Sequence, residues 1–501
     1  MNFYFFQDFV LFSSEFFILF GSFSLILFAS FRSIKEINLL VPSVGFICFW
    51  VTFEIFCLCI YLLFCIPCVN KVVFFGTFYF DSSFLFIKFI IYLFSICVLL
   101  GSKESLSRLG IINTFEFYIL FHLSLFGMLL VASSSNLLSL YLSLELQSLG
   151  LYVLAGIKRG SSFSSEASLK YFVMGAFSSG ILLFGCSLIY GFLGSLYYED
   201  FGRLFFTSYV DITIGLIFGI FLVSVGFLFK ITAAPWHMWA IDVYEGSPIP
   251  ITFFFTILPK LTLIFGISKF LYQGFGGYCF YWLSFLAFVG ILSLFVGSFG
   301  ALAQQKIKRF IAFSSVGHLG YILMGFSSGT ILGIKSVFIY IIIYIIMLVS
   351  MWSILLSGYH FKRKTSIKFF KDFIYIVRIN FSLWVSALVV LFSIAGIPPL
   401  LGFCGKFFIF FSMMGSGFYF IACLVVFCSV VSCFYYLRLI KVISFDFFKG
   451  SFFIISKPAF IFHVSREASF VISWGVYIIL FSFFEPAFIS FVHQLVLGFL
   501  I

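Results

Sequence analysis

Apolar runs long enough to cross a bilayer recur along almost the whole chain, separated by short polar or basic turns. A helix spans the hydrocarbon core with ~20 apolar residues. Runs of that order lie at 9–29, 40–66, 84–100, 114–132, 136–157, 166–194, 211–232, 250–270, 280–303, 307–327, 331–357, 379–415, 418–440 and 469–490. The pattern predicts an all-α polytopic membrane protein of about fourteen transmembrane helices. Pro235 should break the seventh helix, and Thr232 to Ser247 reads as a short amphipathic segment before the eighth. The twelfth run is too long for one straight helix, and Ile397-Pro398-Pro399 should break it.

Basic residues provide a check on the count that hydropathy does not use. Odd-numbered loops and their edges carry 20 of the 29 Lys and Arg, whereas even-numbered loops and both termini carry only Lys71 and Arg203. A miscounted helix would scramble this segregation from that point onward. It therefore favours fourteen crossings, with basic loops inside and both termini outside. The net charge of +11 belongs to those inner loops and is not read as a nucleic-acid footprint.

Composition narrows the class further. At 63% hydrophobic and 9% charged residues, this chain falls far short of the roughly one-quarter charged content of soluble domains. The 84 Phe point to codon bias in an AT-rich, organelle-encoded gene, because membrane physics does not require Phe over Leu. Met1 to Val10 has no Arg or Lys and fits neither a transit peptide nor a signal sequence. Cys57, Cys59, Cys65 and Cys68 include one C-x-x-C step, but they lie in an apolar run where free Cys behaves as a small hydrophobe. A metal centre there is disfavoured.

Ionisable residues inside the spans ask for a reason, because each costs ~2.5–3.5 kcal/mol on insertion scales. Glu54, Glu145, Lys170, Lys230, Lys260, His318 and Lys406 stand out. Glu145 shares a helix face with Tyr141, Ser148 and Tyr152, and His318 with Ser314, Ser315 and Tyr321. Lys230 closes an apolar run five residues before Pro235, Lys260 follows Pro259, and Lys406 follows the Pro398-Pro399 break. A lysine near a helix end often snorkels to the headgroups. That reading is preferred for Lys88, Lys269 and Lys335 and competes evenly for Lys170; His318 competes with a packing role. Glu54 has no account beyond an isolated structural partner.

The spacing of these residues suggests an internal duplication. Glu145 and His318, on spans five and ten, are 173 residues apart; Lys230 and Lys406, on spans seven and twelve, are 176 apart, each beside a proline break. Spans 4–8 and 9–13 then form two five-helix units of opposite orientation, the inverted-repeat plan of secondary transporters. The corresponding division is 1–110, a three-helix segment; 111–275 and 276–445, the two repeats; and 446–501, a tail with the last helix.

Lysine suits a proton relay, because desolvation disfavours the charged ammonium and a nearby carboxylate restores it. The sequence contains no phosphate-binding G-x-x-x-x-G-K-[ST] loop and no G-x-G-x-x-G dinucleotide motif, so the driving energy should come from a partner or an ion gradient.

At these residues the chain resembles a known family. The runs LELQSLGLYVLAG, SEASLKYFVMGAFSSGILLFGCSLIYG, FKITAAPWHMWAIDVYEGSP, FSSVGHLGYILMG and IAGIPPLLGFCGKFFIF are similar to the chain 2 family of NADH–ubiquinone oxidoreductase, the antiporter-like membrane subunits of respiratory complex I. The resemblance runs from about Asn136 to Lys441; the first hundred residues and the stretch after Phe445 match only in hydropathy. It implies proton translocation in the membrane arm. It also implies a relay role for Glu145 paired with Lys230, for Lys260 and Lys406, and for His318 at a polar tenth-helix position; Lys170 is a further candidate from its own place near a helix start.

No cofactor is implied on this chain; FMN, iron–sulfur clusters and ubiquinone belong elsewhere in such a complex. Implied partners are other membrane-arm subunits, including neighbouring antiporter-like ones, together with lipids, in a hetero-oligomer. The implied location is the mitochondrial inner membrane, with termini towards the intermembrane space. The full set of spans separates the chain from shortened animal forms, and the short stretch after the last span argues against the family's largest member, which carries a lateral helix. Two other readings use the same residues: an Mrp-type cation/proton antiporter subunit, and a membrane scaffold whose charges only hold helices together.

Overall fold

The computed structural model describes residues 2–33, 44–67, 69–111, 114–206, 214–360, 367–374, 376, 379–445, 460–482 and 490. Helices coincide with every predicted span. A short α1 (Asn2–Leu11) leads into α2 (Ser13–Ser33), α3 (Val44–Cys65) and α4 (Ser82–Arg108). The middle of the chain forms α5 (Phe115–Ser133), α6 (Leu137–Ala155), α7 (Ser162–Leu193), a short α8 (Tyr198–Phe206), α9 (Ile214–Ile231), α10 (Met238–Gly246) and α11 (Ile249–Ser268). Beyond it come α12 (Cys279–Leu302), α13 (Ile307–Ser327), α14 (Ile331–Ser357), α15 (Phe381–Ala395), α16 (Leu401–Gly415), α17 (Tyr419–Ser444) and α18 (Arg466–Phe481). Among the described residues, twelve helices are long and apolar enough to cross a membrane, and α15 and α16 are shorter apolar pieces on either side of a break. The chain is thus a polytopic membrane protein built as a large helical bundle.

Helix starts follow ordinary capping chemistry. Asp81, Asn136, Thr330, Asn380 and Ser465 accept backbone N–H groups in the first turns of α4, α6, α14, α15 and α18. Two small strand pairs depart from the all-α expectation. β1 (Lys71–Val73) pairs antiparallel with β2 (Phe78–Phe80) between α3 and α4. β3 (Gly358–His360) pairs antiparallel with β4 (Phe460–Phe462), tying the end of α14 to the segment before α18. In both places a connection satisfies its backbone groups by pairing with another strand.

Burial ranks the helices. The most apolar windows of α14 and of α11 with its π-helical extension to Gly274 are wholly buried, and that of α13 is 94% buried, whereas those of α2, α3 and α7 are only 39% buried. Helices α11, α13 and α14 therefore form the inner column of the bundle. The tightest helix pair is α12 with α13: a Cβ on Gly297 would run into the backbone of Gly317, so only glycine allows the two helices to touch.

Both predicted breaks are present. Helix α9 ends at Ile231, and Thr232 takes a left-handed φ of 74°, a strained conformation for a β-branched residue. Helix α15 ends at Gly396 with φ 87°, where glycine is unstrained. The Ala234-Pro235 and Pro398-Pro399 peptides at these breaks are cis.

Two snorkelling expectations are corrected. Lys88 is fully buried, because it forms an ion pair with the equally buried Glu15 of α2. Lys269 is also buried; the π-helical turn Lys269–Gly274 turns it towards the rings of Tyr79, Phe84 and Phe265 rather than outward. Lys335, near the start of α14, is partly exposed. Cys59 donates to the Ser14 carbonyl across 3.6 Å, Cys57 and Cys65 lie exposed on α3, and Cys68 lies outside the described residues. Residues 362–366 of the basic stretch Lys362 to Lys371 also lie outside them.

Candidate functional site

Glu145 and Lys230 meet across the α6–α9 contact. Lys230 Nζ lies 3.5 Å from a Glu145 carboxylate oxygen and 3.4 Å from the Leu144 carbonyl, and the two side chains keep 11% and 25% exposure. Two residues after Lys230 comes the strained Thr232, and the Trp239 indole reaches back from α10 to the Phe229 carbonyl at 3.2 Å. Trp239 stacks between Phe229 and Tyr171, which fixes the path of the broken segment. Beside the pair lies a cavity of about 20 Å³, lined by Gln147, Ser148, Tyr152, Lys230 and Pro259 among others. A space of that size is large enough for one water.

Lys260, the residue after Pro259, is 1% exposed in the fully buried α11. Its Nζ has no hydrogen-bond partner among the described residues, and the Tyr244 ring of α10 lies 5.8 Å away. His318 is held in a tyrosine cage. Its Nδ1 is 2.7 Å from the Tyr340 hydroxyl, its Nε2 is 3.2 Å from the Tyr436 hydroxyl, and Tyr344 lies against the ring. Both Lys260 and Lys406 lie within electrostatic range of His318. Two further cavities of about 10 Å³ flank it, one beside Ser314 and Tyr344, the other beside Ser298 and Ser432.

Lys406 is held differently from Lys230. No carboxylate pairs with it among the described residues. Its Nζ donates to the carbonyls of Ala395 at 2.7 Å and Ile394 at 3.2 Å, and it lies 5.6 Å from the Tyr321 ring. Those carbonyls end α15, where the interrupted helix leaves acceptors and the negative end of its dipole facing the cation. The break at Gly396 therefore supplies the ammonium with partners.

Lys170 stands apart from this row. It pairs with Glu166 at 2.7 Å and Asp242 at 2.9 Å, and its side chain is 44% exposed. Glu54 lies exposed on α3, away from the other candidates.

Several buried or bridging groups escaped sequence reasoning. Glu245 in α10 takes Lys306 at 2.5 Å and also Arg309, while Lys308 donates to the Ser247 carbonyl at 2.5 Å. With Lys170 on Asp242, α10 is thus pinned by salt bridges to both α7 and the start of α13. His122 is completely buried on α5 against Phe56. The Glu15–Lys88 pair was also missed, although a Glu and a Lys inside apolar runs were available as a signal.

This row of buried charges in a broken-helix bundle has close counterparts. The model of the family "NADH:quinone oxidoreductase/Mrp antiporter, TM" matches residues 134–432, more than half of the chain. The chain belongs to that family. NADH-ubiquinone oxidoreductase chain 2 of Marchantia polymorpha is 44% identical over 397 residues, which is 77% of each protein. Among solved structures, a chain of respiratory complex I from Thermus thermophilus aligns with a TM-score of 0.76 at 24% identity, covering 95% of this chain and 97% of that one. A chain of the Mrp complex from Dietzia aligns with a TM-score of 0.77 at 16% identity, covering 98% and 96%. The matched region contains Glu145, Lys230, Lys260, His318 and Lys406. It leaves the Glu15–Lys88 pair of this family member outside.

Proposed function

We propose that this membrane subunit carries protons in the membrane arm of a respiratory NADH–ubiquinone oxidoreductase, driven by electron transfer on other subunits. The observation that supports this reading best is the half-open Glu145–Lys230 pair beside the strained helix break, continued by Lys260, His318 and Lys406 through a polar centre. In this reading Glu145 sets the charge of Lys230. Separating the two disfavours the buried ammonium and releases its proton; bringing them together reloads it. Lys260, the His318 cage and Lys406 form the onward sites, linked by tyrosine hydroxyls and water. Lys170, in its exposed ion pairs, is assigned to the approach.

The topology belongs to the same proposal. It has fourteen crossings, with α15 and α16 making the twelfth, both termini facing the intermembrane space, and inverted repeats at 111–275 and 276–445. Lys230 lies just before the break that ends α9 and Lys406 just after the break between α15 and α16, an arrangement compatible with two units of opposite direction. Similarity to NADH-ubiquinone oxidoreductase chain 2 of Marchantia polymorpha supports the mitochondrial inner membrane as the location. The fold shared with an Mrp chain supports a second reading, a cation/proton antiporter subunit using the same lysines.

Native electrophoresis of gently solubilised membranes, with NADH dehydrogenase staining and mass spectrometry of each band, separates the two. Peptides of this chain should occur in the large NADH-oxidising band. Finding them only in a smaller assembly without that activity would move the assignment to the antiporter.

A further inference from the structure

Glu54 occupies the middle of α3, with ten helical residues before it and eleven after it. At 1.5 Å per residue this puts roughly 15 Å of helix on either side, so the carboxylate sits near the depth of the bilayer centre. Unlike Glu15 and Glu145, which each face a lysine, Glu54 points outward. Among the described residues no cation lies within salt-bridge distance of it. It lies on an exposed stripe with Phe46, Trp50, Leu58, Tyr61 and Phe64, 37–77% exposed, that runs the length of α3. An ionised carboxylate facing hydrocarbon at that depth is costly, and carboxylates in membrane spans ordinarily pair or face a polar interior.

We infer that the Glu54 face of α3 is covered by a transmembrane helix of a different subunit, and that this helix presents a lysine or arginine to Glu54 near the bilayer midplane. The inference rests on the reading that the chain works within a multisubunit membrane assembly. Charge decides between possible occupants. A second copy packed on this stripe about a two-fold axis would set Glu54 near its own counterpart and repel. Lipid tails offer no cation at this depth. A basic residue on a partner helix satisfies the carboxylate, and the aromatic stripe supplies close packing on both sides of it.

Dicyclohexylcarbodiimide, an apolar reagent that reaches carboxyl groups from the hydrocarbon phase, tests this directly. The protonated carboxyl adds across one C=N bond: its oxygen bonds the central carbon and its proton goes to nitrogen. The resulting O-acylisourea rearranges to a stable N-acylurea, with no other reactant needed. Membranes holding the intact assembly, and the same chain after detergent dissociation of that assembly, are treated in parallel. The peptide containing Glu54 is then quantified by mass spectrometry. Modification of Glu54 should rise at least tenfold on dissociation. Equal modification in both samples would show a lipid-facing carboxylate, and no modification in either would show a site closed by the chain itself; both overturn the inference.

Two variants examine the partner's charge. Glu54→Gln should still enter the assembly, whereas Glu54→Lys should be excluded from it on native gels. Normal incorporation of Glu54→Lys would overturn the basic partner. If native gels instead show the wild-type chain alone, the assembly reading itself fails. That outcome is distinct from a chain that assembles yet labels freely.

Discussion

Two of the lysine–glutamate pairs among the described residues differ in kind, one closed and one half open. Lys88 and Glu15 have 0% and 1% exposure, belong to uninterrupted helices, and are packed with the rings of Phe12, Phe80 and Phe84 around the ammonium. Lys230 and Glu145 are 3.5 Å apart, keep 11% and 25% exposure, and sit beside a helix break and a water-sized cavity. The same two functional groups are thus locked in one place and adjustable in the other. In the proposed relay, what separates the two pairs is the interrupted backbone and the neighbouring cavity, not the presence of a buried lysine.

The contrast is most sharply broken at the closed pair. Removing one partner of a buried ion pair leaves an uncompensated charge and costs roughly 3–5 kcal/mol, whereas replacing both with apolar residues is often close to neutral. Lys88→Met alone should therefore leave little of the subunit in the assembled complex. The double variant Glu15→Leu with Lys88→Met should recover it, as judged by band intensity on native gels. A double variant that assembles but no longer pumps would give the closed pair a role in transport and erase the distinction.

The open pair should behave in the opposite way. Lys230→Met should assemble at near wild-type level, while the rate of NADH-driven proton uptake in sealed vesicles falls by roughly tenfold or more, equivalent to ~1.4 kcal/mol or more on the transport step. Glu145→Gln should have a smaller effect in the same direction, because the Leu144 carbonyl still accepts from Lys230. Loss of assembly in Lys230→Met would instead class both pairs as structural.

Lys406 extends the comparison to a lysine held by carbonyls alone. A Cβ on Gly396 would lie 2.9 Å from its Nζ, and φ there is 87°. Gly396→Ala should displace the ammonium from the Ala395 carbonyl and lower pumping several-fold, with a further stability cost of ~1–2 kcal/mol from the left-handed backbone. The smallest effect belongs to His318→Gln, which keeps a polar group between Tyr340 and Tyr436 and should reduce the uptake rate only a few-fold. Unchanged pumping in His318→Gln would place the histidine in the packing of the tyrosines.

Much of this organisation was legible because hydropathy and charge report on burial along one dimension. Apolar runs located the helices, prolines located both breaks, and Lys230, Lys260 and Lys406 stood out as charges in apolar surroundings. Relations across helices were less accessible. The Glu15–Lys88 pair joins residues 73 positions apart on separate helices, and Lys88 alone looked like a residue near a helix end. The His318 cage takes Tyr340 from α14 and Tyr436 from α17, and nothing in either helix marks the face that turns inward. Glu245 drew no reading from the sequence, because Lys306 and Arg309 come to it only through the fold.

The glycine contact between α12 and α13 limits where motion can occur. His318 follows Gly317 directly, so the histidine is mounted at the seam where two backbones press together. Phe313, Leu323 and Ser293 pack against further glycines along the same seam, so the two helices form one close-packed post. In the proposed relay, movement falls to what surrounds this post: the interrupted ends of α9 and α15, which carry Lys230 and the carbonyls that hold Lys406.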